Sequence, residues 1–250
     1  MKIKMNLRGE ITAQRYQNRY KKGSSLNLLE YCLRTMNNSE GKFLMDYYFA
    51  NILLNSAFLK NKVTEFKYIL KEHSNILLKL NEKESSIFHY IHDEINADLA
   101  FCLTQKIEEN KNLQKLVNRK NIFGISPLIN ALMNEMSTGI DYLVQWGAYI
   151  QPDEYDELRK LVERWIRDNK VKNIELLIKA NFKKFEELLD SDKNNILHLA
   201  VFSKNTDFVK IFKQKSPKCL DQKNVYDLKP YDIAKKLNIK DLIWIFKDNN

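Results

Sequence analysis

An apolar trio at positions i, i+3 and i+4 recurs along the chain as Phe66/Ile69/Leu70, Leu99/Cys102/Leu103, Ile140/Leu143/Val144, Ile174/Leu177/Ile178, Phe208/Ile211/Phe212 and Leu242/Ile245/Phe246. Residues at that spacing share one face of an α-helix. The first members of successive trios stand 33, 41, 34, 34 and 34 positions apart. One helical unit is therefore being copied, each copy burying its apolar stripe on the next. The pattern predicts a mainly α chain of about six helix-turn-helix units, over 45–80, 81–117, 118–151, 152–185, 186–222 and 223–250, behind a segment at 1–44. In that segment Leu26, Leu29, Cys32 and Leu33 keep helical spacing after Ser24 and Ser25, which predicts a helix capping the exposed edge of the first unit.

The turns between units carry their own signals. Ser86, Ser126 and Asn195 stand where a side-chain oxygen can accept from the open N–H groups of a starting helix, and Pro127 and Pro230 supply the fixed φ of a first helical position. Ala131, Ala200 and Ala234 are small where two helices approach closely. Lys229 offers no acceptor, so Asp227 is expected to cap the last unit. The fourth unit lacks such an opening; Pro152-Asp153-Glu154 reads as its helix start, with acids against the positive end of the dipole. The 41-residue step is expected to hold its extra residues within 104–117, where Ile107, Leu113, Leu116 and Val117 can extend a helix.

These units resemble the ankyrin repeat, which opens with G-x-T-P-L-H-x-A, runs through two antiparallel helices and closes in a G-A-D-type loop. Gly124, Ser126, Pro127, Leu128 and Ala131 match the opening, and Gly147-Ala148 matches the close. Parts of the opening return in Asn195-Ile196-Leu197-His198-Leu199-Ala200, in Asp227 to Ala234, and in Ser86 to Ile91 with His89. The resemblance implies an ankyrin-repeat solenoid, structural histidines at 89 and 198 that bond between adjacent units, and a partner protein held on hairpin tips and inner helices. The tips map to 118–123 and 223–226, with Trp146 and Tyr149 in the loop closing the third unit. Ile122, Phe123, Trp146, Tyr149 and Tyr226 are accordingly the expected partner-binding residues.

Composition narrows the remaining choices. With 44% hydrophobic residues and only six Gly and four Pro in 250, the chain can pack a core throughout without long linkers. No stretch approaches the roughly 18 uninterrupted apolar residues of a membrane span, and the N-terminus has no apolar h-region of a secretory signal. A soluble, cytoplasmic, monomeric protein is expected. Three cysteines, Cys32, Cys102 and Cys219, form no short spacing and fit a reducing compartment; Cys102, in a trio, should be buried. The formal charge of +9 is concentrated in residues 1–22, where seven cations meet Glu10 alone. That distribution demotes nucleic-acid binding by the repeats and places any contact with anionic membrane or nucleic acid on the arm, at Arg15, Arg19, Lys21 and Lys22.

Candidate chemistry is sparse. His89 and His92 are i, i+3 beside Asp93 and Glu94, but no third convergent ligand is visible, so no metal and no cofactor is expected. A cysteine-dependent enzyme with its site between the cap and the repeats is the alternative reading, with Cys32 the least committed thiol and His73 the least committed imidazole, and Cys32 or His92 the residues whose loss would abolish its activity. No motif surrounds them, and no Walker or G-x-G-x-x-G loop occurs. A non-enzymatic adaptor, scaffold or inhibitor is the primary expectation. Heavy use of Lys, Asn and Ile suggests an AT-rich genome, and diverged ankyrin proteins of this size resemble effectors that host-associated bacteria send into eukaryotic cytosol.

Overall fold

The computed structural model describes residues 63–72, 76–81 and 83–248. The expected N-terminal cap, the first part of the first unit and the basic arm with Arg15, Arg19, Lys21 and Lys22 lie outside those residues, as do Cys32 and His73. Among the described residues there are eleven α-helices and no strand. They are α1 (Val63–Glu72), α2 (Ala97–Glu109), α3 (Lys111–Leu116), α4 (Pro127–Met133), α5 (Ser137–Gln145), α6 (Tyr155–Arg167), α7 (Ile174–Lys179), α8 (Ile196–Phe202), α9 (Thr206–Lys215), α10 (Pro230–Lys236) and α11 (Lys240–Lys247). No described helix is long and apolar enough to cross a membrane. The chain divides into two compact bodies between Pro127 and Leu128.

In the N-terminal body α1 packs on α2, and Phe66, Leu70, Leu99, Leu103, Ile107, Leu113 and Val117 are buried. The inserted residues of the long step do extend a helix, but only to Glu109. Asn110 then leaves helical geometry and turns its side-chain oxygen to the N–H groups of Asn112 and Leu113, at 3.0 and 3.3 Å, starting α3. Cys102 is half-buried rather than buried.

The C-terminal body is built from four consecutive helix pairs, α4/α5, α6/α7, α8/α9 and α10/α11, and α8 packs on α6, α9 and α10. The joints repeat atom for atom. Glu135, Asn169, Lys204 and Asn238 all adopt left-handed φ between 52° and 58°. The following N–H groups then close back onto the first helix: Met136 to Ala131 O at 2.9 Å, Lys170 to Trp165 O at 2.8 Å, Asn205 to Ala200 O and Ile239 to Ala234 O at 3.0 Å. These bonds satisfy carbonyls that a helix end leaves open. They also fix the register, so that Trp165 stands where the other three pairs have alanine.

That exchange accompanies a change of architecture in the second of these pairs. Its first helix, α6, has 13 residues against seven in α4, α8 and α10. It begins from a single 3-10 turn at Pro152–Glu154, where the Glu154 carboxylate, almost wholly buried, accepts from Gln151 N–H at 3.0 Å. The indole of Trp165 is 1% exposed, on a helix that packs on α8. In the same body an aromatic series runs Tyr155–Phe182–Phe185–Phe212–Phe208, with ring centroids 5.3 to 5.9 Å apart.

The trios form the core with adjustments at their last members. Ile140, Leu143, Ile174, Leu177, Phe208, Phe212, Leu242 and Ile245 are buried, whereas Ile178 is exposed and Leu176 is turned inward in its place. α7 is short, six residues after a 3-10 turn at Val171–Asn173. The last pair is not capped by Asp227. Asp232, three residues into α10, reaches back to accept from Lys229 N–H at 3.1 Å, the reciprocal half of a capping box, while Asp227 pairs with Lys223 at 2.8 Å.

Candidate interaction site on the hairpin turns

Four five-residue turns, 81–85, 121–125, 190–194 and 224–228, are built alike. Each begins with Asn or Asp: Asn81, Asn121, Asp190 and Asn224. The side-chain oxygen of that residue accepts from the N–H groups two and four positions on. The pairs are Lys83 and Ser85 at 2.9 Å, Phe123 and Ile125 at 3.0 and 3.2 Å, Asp192 and Asn194 at 2.9 and 2.8 Å, and Tyr226 and Leu228 at 3.0 and 3.2 Å. Its own N–H donates to the carbonyl of the fifth residue at 3.0 to 3.1 Å. Short polar side chains make such turns because they mimic a backbone acceptor. The fourth residue is left-handed in every case: Glu84, Gly124, Lys193 and Asp227.

With the backbone satisfied internally, the middle side chains are directed to solvent. Ile122, Phe123, Val225 and Tyr226 each expose half of their surface or more. The turns are also tied to their neighbours. Ile122 N–H donates to Lys83 O at 3.0 Å in the N-terminal body, and Val225 N–H donates to Asp192 O at 2.9 Å in the C-terminal body. Apolar tips are thus held on fixed backbone, which lowers the ordering cost of a contact. Lys83 lies 6.0 Å from the Phe123 ring centroid, and Arg119 pairs with Glu84 at 2.9 Å beside it. No side chain meets a Cβ built on Gly124 within 4 Å, at φ 74°. Gly124→Ala is therefore expected to cost only backbone conformational energy, about 1 kcal/mol by urea denaturation, as its left-handed counterparts Glu84, Lys193 and Asp227 already bear.

Two buried histidines anchor these turns. His89 Nδ1 accepts from Ser86 N–H at 3.1 Å and Nε2–H donates to Ile125 O, 36 residues on, at 3.0 Å. His198 repeats the arrangement with Asn195 N–H at 3.2 Å and Leu228 O at 3.0 Å. A carbonyl only accepts, so both rings are the neutral Nε2–H tautomer. The structural role implied by the ankyrin resemblance is what the geometry displays. Burial holds both rings below their ordinary pKa against the raising effect of the carbonyls and, for His198, of Asp190. Folding therefore favours the neutral ring; its contribution is full above the unfolded value of about 6.5 and is lost as pH falls through the lower folded value. The melting temperature is expected to fall as pH drops below about 6.5, and to fall less in His198→Gln. Equal slopes in the two proteins would contradict this assignment.

The other sequence-derived candidates separate. Tyr149 is exposed, as expected of a surface contact. Trp146 is 4% exposed and stacks on Tyr142 at 5.7 Å, so it is withdrawn from the surface set. It continues the 140/143 spacing by another three residues, a signal that places it on the buried face of α5. Val225, overlooked beside Tyr226, joins the tip. Cys219 is fully buried and its thiol is pushed up to about 11 by desolvation. Cys102 is likewise raised by burial. Neither is an activated thiolate. Among the described residues no group of three His, Cys, Asp or Glu is arranged to hold a metal.

No protein-family description matches this sequence, and no curated protein matches it. Its architecture is similar to that of solved proteins. The crystal structure of EF0377, an ankyrin repeat protein, superposes with a TM-score of 0.50 at 15% identity, covering 79% of this chain and 97% of that one. The human ASB11 ankyrin repeat domain gives a TM-score of 0.42 at 15% identity, covering 77% and 96%. The fold is that of an all-helical ankyrin-repeat protein.

Proposed function

We propose that this chain is a non-catalytic protein-binding module, an adaptor, scaffold or inhibitor, that engages a partner protein through its apolar hairpin tips, Ile122/Phe123 in the N-terminal body and, by itself, Val225/Tyr226 in the C-terminal body. The observation that carries the reading is the pairing of apolar exposure with an immobilised backbone: these side chains stand outside turns whose own polar groups are satisfied. Aromatic anchors on fixed supports are what interface hot spots require. Tyr149 extends the same set. The raised thiols of Cys102 and Cys219 speak against a cysteine-dependent enzyme at those two positions.

Tagged wild-type chain and a Phe123→Ser/Tyr226→Ser variant, incubated with eukaryotic cytosol, test the reading by quantitative mass spectrometry. Proteins retained by the wild type are expected to be depleted at least about tenfold on the variant, as for loss of two central anchors. Identical recoveries from both baits would remove the tips from the binding surface. Recovery of specific cytosolic partners also bears on the effector reading. Anionic contact by Arg15, Arg19, Lys21 and Lys22 is a separate proposal, tested by salt-sensitive binding of chains with and without residues 1–22.

A further inference from the structure

A second surface lies at the other end of the first helices of the C-terminal body, on the inter-helix turns. The turns are fastened in a row: Lys170 pairs with Glu135, and Asn205 Nδ2 donates to Ile166 O and to Asn169 Oδ1, each at 3.0 Å, while α8 packs on α10. Met133 ends α4, Phe202 ends α8 and Leu237 follows α10. They are 38, 47 and 50% exposed; Met133 and Phe202 stand two residues before the left-handed joint residue, where the other two pairs have Arg167 and Lys236, and Leu237 follows Lys236 in the last pair. Nothing in the fold requires an apolar residue there, since the joint is closed by backbone bonds.

Charge distinguishes this row from the hairpin end of the same body. Residues 133–135, 164–170, 202–204 and 235–238 contain six cations and two acids. Both acids are engaged, Glu135 by Lys170 and Asp168 by Arg167 at 3.8 Å. Arg164, Lys204, Lys235 and Lys236 have no acidic partner among the described residues. Helix C-termini attract cations with about half a charge each, so four helix ends account for roughly two charges of the excess. The rest is uncompensated. At the hairpin end the balance reverses, with Asp190, Asp192 and Asp227 against Lys193 and Lys223.

We infer that the turn row is a docking surface for an acidic, extended segment of a partner protein, with apolar side chains at every third position and acids between them. Packed helices stand about 8–10 Å apart, and a polyproline-II segment places side chains i and i+3 on one face about 9.3 Å apart. Such a segment can lay apolar side chains against Phe202 and Leu237, which lie in neighbouring pairs, and offer carboxylates to Lys204 and Lys236. The inference rests on the reading of the chain as a protein-binding module, and it assigns a surface distinct from the tips.

The test is selection of displayed random dodecapeptides on the full chain, followed by affinity measurement with synthetic copies of the enriched peptides. Variants for comparison are Phe202→Ser/Leu237→Ser, whose positions are exposed enough to leave the melting temperature unchanged, and Phe123→Ser/Tyr226→Ser. Enriched peptides are expected to carry acids with apolar residues at i and i+3. Their affinity should fall at least about tenfold in the row variant, stay unchanged in the tip variant, and weaken with salt. Peptides without acids, or acidic peptides that bind the row variant undiminished, overturn the proposal. So does peptide binding lost only in the tip variant, an outcome that leaves the tip reading intact. Phosphatidylserine vesicles bound by the wild type and not by the row variant, with no acidic peptide enriched, would overturn it in favour of a membrane surface.

Discussion

Trp165→Ala is expected to destabilise the C-terminal body by about 3–5 kcal/mol, the range for deleting a buried aromatic side chain. The expectation is sharp because alignment of the repeats argues the reverse. Ala131, Ala200 and Ala234 occupy the same register, fixed by the N–H bonds that each carbonyl accepts from the inter-helix joint, and replacing an outlier by its consensus residue commonly stabilises a protein. Here the outlier is compensated. The helix bearing Trp165 is six residues longer than its counterparts and has no hairpin turn before it, so the indole occupies volume that smaller inner helices do not leave. Alanine would open a cavity on the buried side of α6, which close packing lets the surroundings refill only in part. Urea denaturation followed by circular dichroism gives the measurement. A variant as stable as wild type would show that α6 relaxes to the packing of its neighbours.

Asn195→Ala is expected to cost about 2–4 kcal/mol, more than an ordinary helix cap, because the side chain serves both ends of a repeat junction. Asn195 is fully buried. Its oxygen accepts from the N–H groups of Leu197 and His198 at 3.0 and 3.1 Å, opening α8. Its amide nitrogen donates to Cys219 O at 2.9 Å and to Gln222 Oε1 at 2.8 Å, and Gln222 in turn donates to Glu186 O at 3.0 Å. Alanine removes the cap and also leaves buried acceptors without a donor, the costlier of the two losses. Asn195→Ser separates them: a hydroxyl can restore the cap but cannot reach both acceptors, so roughly half of the loss should remain. If serine recovers everything, the bridge to Cys219 and Gln222 contributes nothing.

These two positions show what was readable from residue order. Asn195 was legible as a cap, since a short polar side chain before an apolar helical run has few other local uses. Its amide nitrogen's partners, 24 and 27 residues away, were not. The apolar tips were legible at Phe123 and Tyr226 because nothing in a helical repeat calls for them, whereas Trp146 was misplaced on the surface although its spacing from Leu143 already put it on the buried face. The role of Asp227 as a cap failed for a similar reason: two aspartates flank Lys229, and only backbone geometry decides which one reaches its N–H.

Residue order alone establishes an array of helical pairs, with a period near 34, caps at their starts and histidines at two equivalent positions. Periodicity suffices for that, because a helix face must be buried on something and the same face returns with each copy. Which apolar residues stay outside follows from the folded chain: the tips, thrown out by turns that bond to themselves, and Met133, Phe202 and Leu237, left exposed at the inter-helix turns among cations. Those residues are 34 or more positions apart in the chain, and only the stacking of the joints brings them to a common surface.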